Sequence, residues 1–459
     1  MKNRFLKVGL GLSLIASYAL AGVEKPNLKI GFIALTDCAP IVIAKEKGFF
    51  AKHGLNVEVA KEGGGWAGIQ QKVASGEYDA SHALAGMPIA STIGINGNTP
   101  MYALMSLDLN GNAITMGNDI IAKMQAEGLD PKKRPVSADA LKKVIDKKKA
   151  AEKGKFKALE FGVVYPVSTH MYEMRYWLAA SKINPDTETA LKVFPPPQMV
   201  ANLKAGNIEG YCVGEPWNER AVMAKSGSAL ITNYDIWNNN PEKVLQVTQA
   251  FAKKYPGTTQ AMIEAVLEAQ IWLDTSWENR KEASKILSMK QYVNAPVDVL
   301  DNSMTGTFQY LKDFKGESNP QFNVFANNYA AYPFYSHGMW FLTQMYRWGQ
   351  IDKPLDMKKT IENVYRPDLF AAAAKNVGYK LPASPWKIDG KDQFNKFVDG
   401  KIYDPNKAVD YIYSFDVNSA KVKKADLAKV NKWKVKTAQP KYECFYGPAG
   451  CADPKYIRK

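Results

Sequence analysis

Short apolar runs of strand length alternate with amphipathic stretches through the first half of the chain, and this rhythm sets the fold class. Residues 28–35 (LKIGFIAL) read as a strand, and 41–48 follow with helical patterning. Residues 55–60 (LNVEVA) alternate as a half-buried strand does, and 69–75 read as a helix. Residues 78–86 and 87–95 repeat the strand-then-helix unit, 101–107 form a strand, and 113–116 continue extended. Within the basic stretch 132–157, Leu141, Val144 and Ile145 make an apolar stripe behind Ser137 as a cap. That pattern predicts an amphipathic helix with a solvated lysine face. Residues 191–194 are a strand, Pro195 to Pro197 open a helix over 198–205, and 206–213 (GNIEGYCV) hold a turn and a strand. A helix begins at Gly214-Glu215-Pro216-Trp217, and the chain is extended again from Val244. From Gly257 it becomes helical: Ile263, Val266, Leu267 and Ile271 keep helical spacing, and 335–348 and 367–375 read likewise. Beyond Asp416 the tail is lysine-rich and weakly patterned. Strands alternating with helices, then helices alone, predict an α/β fold with a helical addition.

One stretch concentrates chemistry. Residues 161–177, FGVVYPVSTHMYEMRYW, run from a short strand through a loop into a helix marked by Met171, Met174 and Leu178. Ser168 or Thr169 is the natural N-cap. His170 therefore falls in a first helical turn just past a strand, where open α/β sheets bind small ligands. Free N–H groups and the positive end of the helix dipole favour an anion there. The alternative, from this stretch alone, is a histidine that only packs locally. A second stretch, GGGWAG at 63–68, matches G-x-G-x-x-G. A dinucleotide site also needs an acidic residue about 20 residues on, after a second strand. Asp79 comes too early, so a glycine turn presenting N–H groups and Trp66 to a small ligand fits better.

Length and composition narrow the class. With 459 residues the chain is long enough for two or three domains, and 46% hydrophobic with 23% charged residues is a globular balance. The formal charge of +15 suggests an acidic or anionic partner, although solvated lysine faces account for much of it. Nucleic acid is not expected: no nucleic-acid module, zinc-finger spacing or arginine-rich segment is present. Lys2, Arg4 and Lys7 precede an apolar run over 8–20 too short to span a bilayer, and Ala19-Leu20-Ala21 is a small-residue cleavage site. Residues 1–21 thus read as a secretory signal peptide cleaved near Ala21, and the product as an exported, periplasmic protein. Cys444 and Cys451, with Gly447 and Pro448 between them, can close as a local disulfide in an exported chain. Cys38 and Cys212 each end a predicted strand and read as buried thiols or as partners across a cleft. No metal or cofactor is expected, since the spacing does not suggest zinc. Catalysis is not expected either: H-E-x-x-H, P-loop and G-x-S-x-G segments are all missing.

Several motifs together resemble the periplasmic solute-binding proteins of ABC importers, in the branch that binds nitrate or bicarbonate. They are AKEKGFFAKHGLNVEV (44–59), PMYAL (100–104), THMYEMRYWLAA (169–180), VGEPWN (213–218), NPEKVL (240–245), SHGMWFLT (336–343) and RPDLF (366–370). The resemblance implies a two-lobed, Venus-flytrap fold of periplasmic-binding-protein type II, with extra C-terminal helices and the ligand between the lobes. Lobe one would be 28–114 plus 245–416, lobe two 115–244, and 417–459 a C-terminal extension. It further implies a monomer that delivers a small inorganic anion to membrane permease subunits. Nitrate-binding relatives hold the anion with a tryptophan, a glutamine, a histidine, a glycine and a lysine. Trp66, His170, Gly214 and Lys243 stand at four of those positions, and Asn110 stands where the family has glutamine. Asparagine still offers an amide donor but is one methylene shorter, so it reaches the anion through water or the pocket shifts. Bicarbonate-binding relatives place glutamate at the lysine position and use calcium, so Lys243 favours nitrate over bicarbonate, with nitrite also admitted. An organic sulfonate or a thiamine-precursor pyrimidine would need a roomier pocket in the same fold.

Overall fold

The computed structural model describes residues 22–314 and 316–451, so the expected signal peptide lies outside the described residues. Eleven strands matter for the site. They are β1 (Asn27–Phe32), β2 (Asn56–Lys61), β3 (Ala80–Leu84), β4 (Met101–Ser106), β5 (Leu109–Asn110), β6 (Asn112–Gly117), β7 (Leu159–Val163), β8 (Thr189–Val193), β9 (Gly210–Gly214), β10 (Gly227–Thr232) and β11 (Lys243–Thr248). They build two five-stranded sheets, ordered β2-β1-β3-β11-β4 and β10-β6-β9-β7-β8. In the first, β1 runs parallel to β2 and β3, and β11 runs antiparallel to β3 and β4. In the second, β7 runs parallel to β8 and β9, and β6 runs antiparallel to β9 and β10. Each sheet thus carries a strand against the grain beside the crossings. The chain leaves the first sheet between Ser106 and Asn112 and returns between Thr232 and Lys243. The fold is two-lobed, with a sheet and its covering helices in each lobe.

Local chemistry explains why the elements start where they do. Ser168, extended at ψ 156°, accepts the Met171 N–H at 3.0 Å and caps the helix Thr169–Ala180. That places His170 second in the helix, just past β7. The basic stretch folds as the helix Asp139–Glu152, burying Ala140, Leu141 and Ile145, while Val144 stays half-buried. Its N-cap is Ala138, and Ser137 Oγ sits one residue earlier, 3.4 Å from the Asp139 N–H. The helical addition includes Pro256–Thr275, Tyr335–Arg347, Met357–Val364 and Pro367–Val377. Every residue of Tyr335–Arg347 except Tyr335 is buried, so this helix is core rather than cover.

The tail is pinned to the first lobe. Cys444 and Cys451 form a disulfide, while Cys38 and Cys212 are buried free thiols. Asn327 Nδ2 donates to the carbonyls of Gly447 (3.0 Å) and Ala449 (2.8 Å), and the Tyr446 N–H donates to Asn327 Oδ1 at 3.1 Å. The segment holding Asn327 depends in turn on Asp274. This buried carboxylate accepts Arg280 Nη2 at 2.6 Å and the N–H groups of Ala326 and Asn327, each at 2.7 Å. Replacing Asp274 by Ala strands the Arg280 charge and two backbone donors, so a loss of about 3 kcal/mol or more is expected in urea unfolding.

Candidate functional site

The two lobes meet face to face around residues 34–37 and 213–217. The Thr36 N–H donates to the Glu215 carbonyl at 2.8 Å, and Trp217 Nε1 donates to the Ala34 carbonyl at 3.1 Å. Polar side chains from both lobes are sealed behind this contact: His170, Lys243, Glu242 and His82 are 0% exposed, and Trp66 and Asp37 are 1% exposed.

Each side chain is positioned by an element end. Trp66 is second in the helix Gly65–Ser75, whose first residue has φ +71°, a left-handed conformation that glycine adopts without strain. Gly214 is the last residue of β9 and Lys243 the first of β11. Lys243 Nζ lies 2.6 Å from Asp37 Oδ2, contacts the Glu242 carboxylate and sits 5.5 Å from the centroid of the Trp66 ring. His170 Nε2 lies 3.3 Å from Glu242 Oε1. His82 Nε2 lies 2.8 Å from Asp37 Oδ1, and the His82 ring packs 5.3 Å from Trp66. At Gly214 any Cβ would fall 3.3 Å from Asp37 Oδ2 and 3.2 Å from Asn112 Oδ1, so a larger residue would press on both side chains where the lobes meet.

Burial and pairing set the charges. Burial works against ionising Asp37, but Lys243 and His82 beside it hold its carboxyl well below the usual range. Burial likewise opposes the Lys243 ammonium, and Asp37, Glu242 and Asp108 outweigh it, so Lys243 stays charged. Burial pushes His170 down to about 4 against the pull of Glu242, leaving a neutral imidazole at pH 7. Burial also raises Asp108 well above its ordinary value and lifts Glu173 to about 8, aided in each case by neighbouring carboxylates. Trp66 Nε1 and both ring nitrogens of His170 have no hydrogen-bond partner within the protein. Buried polar atoms left unpaired in this way cost stability unless a ligand pairs with them.

Of the five residues read from the sequence, Trp66, His170, Gly214 and Lys243 converge here. Asn110 stands apart. Its Nδ2 donates to the Gln321 carbonyl at 2.7 Å and its Oδ1 accepts from Asn240 at 3.1 Å, at a backbone φ of +64°. Both ends of its amide are used to hold the crossing segments. Asn240 goes on to Asn233 (3.0 Å), Asn233 to Glu173 (3.1 Å), and Glu173 accepts from Asn112 (3.2 Å), so a buried amide chain links Asn110 to the site. Sequence reasoning missed Asp37, His82, Asn112, Glu173 and Glu242. The signals were present: Asp37 lies in the turn between the first strand and the helix after it, and Glu242 adjoins Lys243 in NPEKVL. Among the described residues no group of three or more His, Cys, Asp or Glu is placed to hold a metal ion.

Two α/β lobes closed over a buried polar site define the periplasmic-binding-protein class. The fold agrees with the crystal structure of the periplasmic nitrate-binding protein NrtA from Synechocystis, with a TM-score of 0.77 and 32% identity over 86% of this chain and all of that one. A family model described as NMT1-like matches residues 21–288. The nitrate/nitrite binding protein NrtA of Nostoc is 37% identical over 411 residues, 88% of this chain and 87% of that protein. The bicarbonate-binding protein CmpA of Synechococcus elongatus is 30% identical over 413 residues, 87% of this chain and 88% of that one. The chain also aligns with the nitrate import ATP-binding protein NrtC of Synechocystis at 38% identity, spanning 59% of that protein's length. The chain belongs to the NMT1-like family and is a relative of the solute-binding proteins NrtA and CmpA.

Asn110→Ala removes two buried hydrogen bonds and an asparagine from a left-handed position, so about 2 kcal/mol of stability should be lost. Ligand affinity should change less than stability does, and parallel denaturant and titration curves check both.

Proposed function

We propose that this chain is the exported solute-binding component of an ABC importer and that it captures nitrate, with nitrite as the smaller alternative. The observation that carries this reading is the buried ammonium of Lys243, framed by Trp66 and His170 from opposite lobes. A planar anion lying along the indole would give acceptors to the unpartnered Trp66 Nε1 and to the His170 ring. Gly214 would let the lobes close over it. Asn110, with its amide engaged at the crossing, would act by holding that frame. The ligand positions Trp66, His170, Gly214 and Lys243 and the supporting Asn110 are part of this proposal. So are lobes of 28–114 plus 245–416 and 115–244, an extension over 417–459, signal-peptide cleavage near Ala21, a monomeric state, and release of the anion to membrane permease subunits. The protein is a binding protein and not an enzyme.

Bicarbonate is the second reading, and one observation favours it. Glu242 Oε2 has no hydrogen-bond partner within the protein, and bicarbonate, unlike nitrate, brings an O–H that needs an acceptor. The lysine at 243 weighs the other way. Calorimetric titration with nitrate, nitrite and bicarbonate, the last with and without calcium, separates the two. Nitrate heat without bicarbonate heat supports the first, and calcium-dependent bicarbonate binding replaces it with the second. Lys243→Glu, in protein with unchanged circular dichroism, should weaken nitrate binding about thirtyfold or more, or about 2 kcal/mol. Unchanged affinity would take Lys243 out of the site.

A further inference from the structure

The closed site holds more negative charge than an anion receptor needs. Asp37 and Glu242 both contact the Lys243 ammonium, and no other lysine or arginine among the described residues pairs with either carboxylate. A monoanion entering this space would bury a further charge without a counter-charge, which is costly. A carboxylate could relieve this by swinging out, but both are held. Asp37 is clamped between His82 and Lys243 on a segment bonded through Thr36 to Glu215. The Glu242 carboxylate is engaged through Oε1, which contacts Lys243 and lies 3.3 Å from His170 Nε2. The remaining way to take in an anion without adding to that negative charge is to take in a proton with it.

The surrounding groups narrow where that proton goes. His82, on β3, accepts the Ile33 N–H on Nδ1 at 3.5 Å, so its own proton stays on Nε2 facing Asp37. Burial pushes the Asp108 carboxyl, before β5, well above its ordinary range and lifts Glu173, on the helix Thr169–Ala180, to about 8. The thiols of Cys38 and Cys212 are pushed up by burial and keep their protons. His170 is different: neither ring nitrogen has a hydrogen-bond partner within the protein, and Nε2 lies 3.3 Å from Glu242 Oε1. We propose that each anion captured by this protein is taken up together with one proton from solution, held between Glu242 and His170. This rests on the reading of the site as an anion site. Capture should then weaken about tenfold per pH unit wherever the proton must come from solution.

The test is titration of the natural mature protein with sodium nitrate at one pH in phosphate and in Tris, whose ionisation heats differ. The heat difference between the buffers counts protons. An uptake near one per nitrate supports the proposal, and nitrate binding with no uptake overturns it while leaving the anion reading intact. Absence of nitrate binding overturns both. Glu242→Gln should bind nitrate with uptake reduced towards zero and a flattened pH dependence. A Glu242→Gln protein that still takes up one proton per nitrate overturns the assignment to the Glu242–His170 pair. If that variant does not fold, the two-buffer measurement on the natural protein decides alone.

Discussion

A buried ammonium needs compensation, and Lys243 is the point around which the cleft is arranged. In low-dielectric surroundings its charge persists only because Asp37 lies 2.6 Å away and Glu242 touches it. Those carboxylates are themselves supported. His82 backs Asp37 from β3, and His170 backs Glu242 from the other lobe. The indole of Trp66 covers the ammonium from a third side. Because the cluster draws on both lobes, closing them completes it, and opening them exposes charges to water.

The second constraint lies at the crossings. Two segments, 107–111 and 233–242, pass between the sheets, and buried asparagine amides tie them together. An amide offers both donor and acceptor without charge, so a chain of amides can be satisfied in the interior where ions cannot. Asn110 belongs to this chain. Its left-handed backbone and its bond to Gln321 also fix the pairing of β5 with the short strand Asn323–Val324. Both ends of the Asn110 amide are engaged within the protein in this structure. The C-terminal region serves the same frame. Val398 donates its N–H to the Ile236 carbonyl at 2.8 Å, and Tyr176 on the His170 helix donates to Asp399 at 2.9 Å.

Much of this was legible along the chain, because local patterns report local structure. Alternation and helical spacing marked the strands and helices that build both sheets, and Ser168 marked the turn that presents His170. The pair Cys444 and Cys451, seven residues apart, were near enough in sequence to be read as a local bond, and they are bonded. His170 could be singled out because it opens a helix just past a strand, and Trp66 because it follows a glycine turn, whereas Gly214 and Lys243 were named only through the resemblance to nitrate-binding relatives. What the sequence could not show was which charges meet. Asp37 and Lys243 are separated by most of the two lobes along the chain, yet they touch. Glu242 is a commonplace neighbour of Lys243 until folding strips both of water. Ion pairing, the upward shift of the Glu173 and Asp108 carboxyls, and the use of the Asn110 amide all depend on burial and on contacts distant in sequence. Those are properties of the closed tertiary structure, whereas hydrophobic period and capping act over a few neighbouring residues and so were written in the sequence alone.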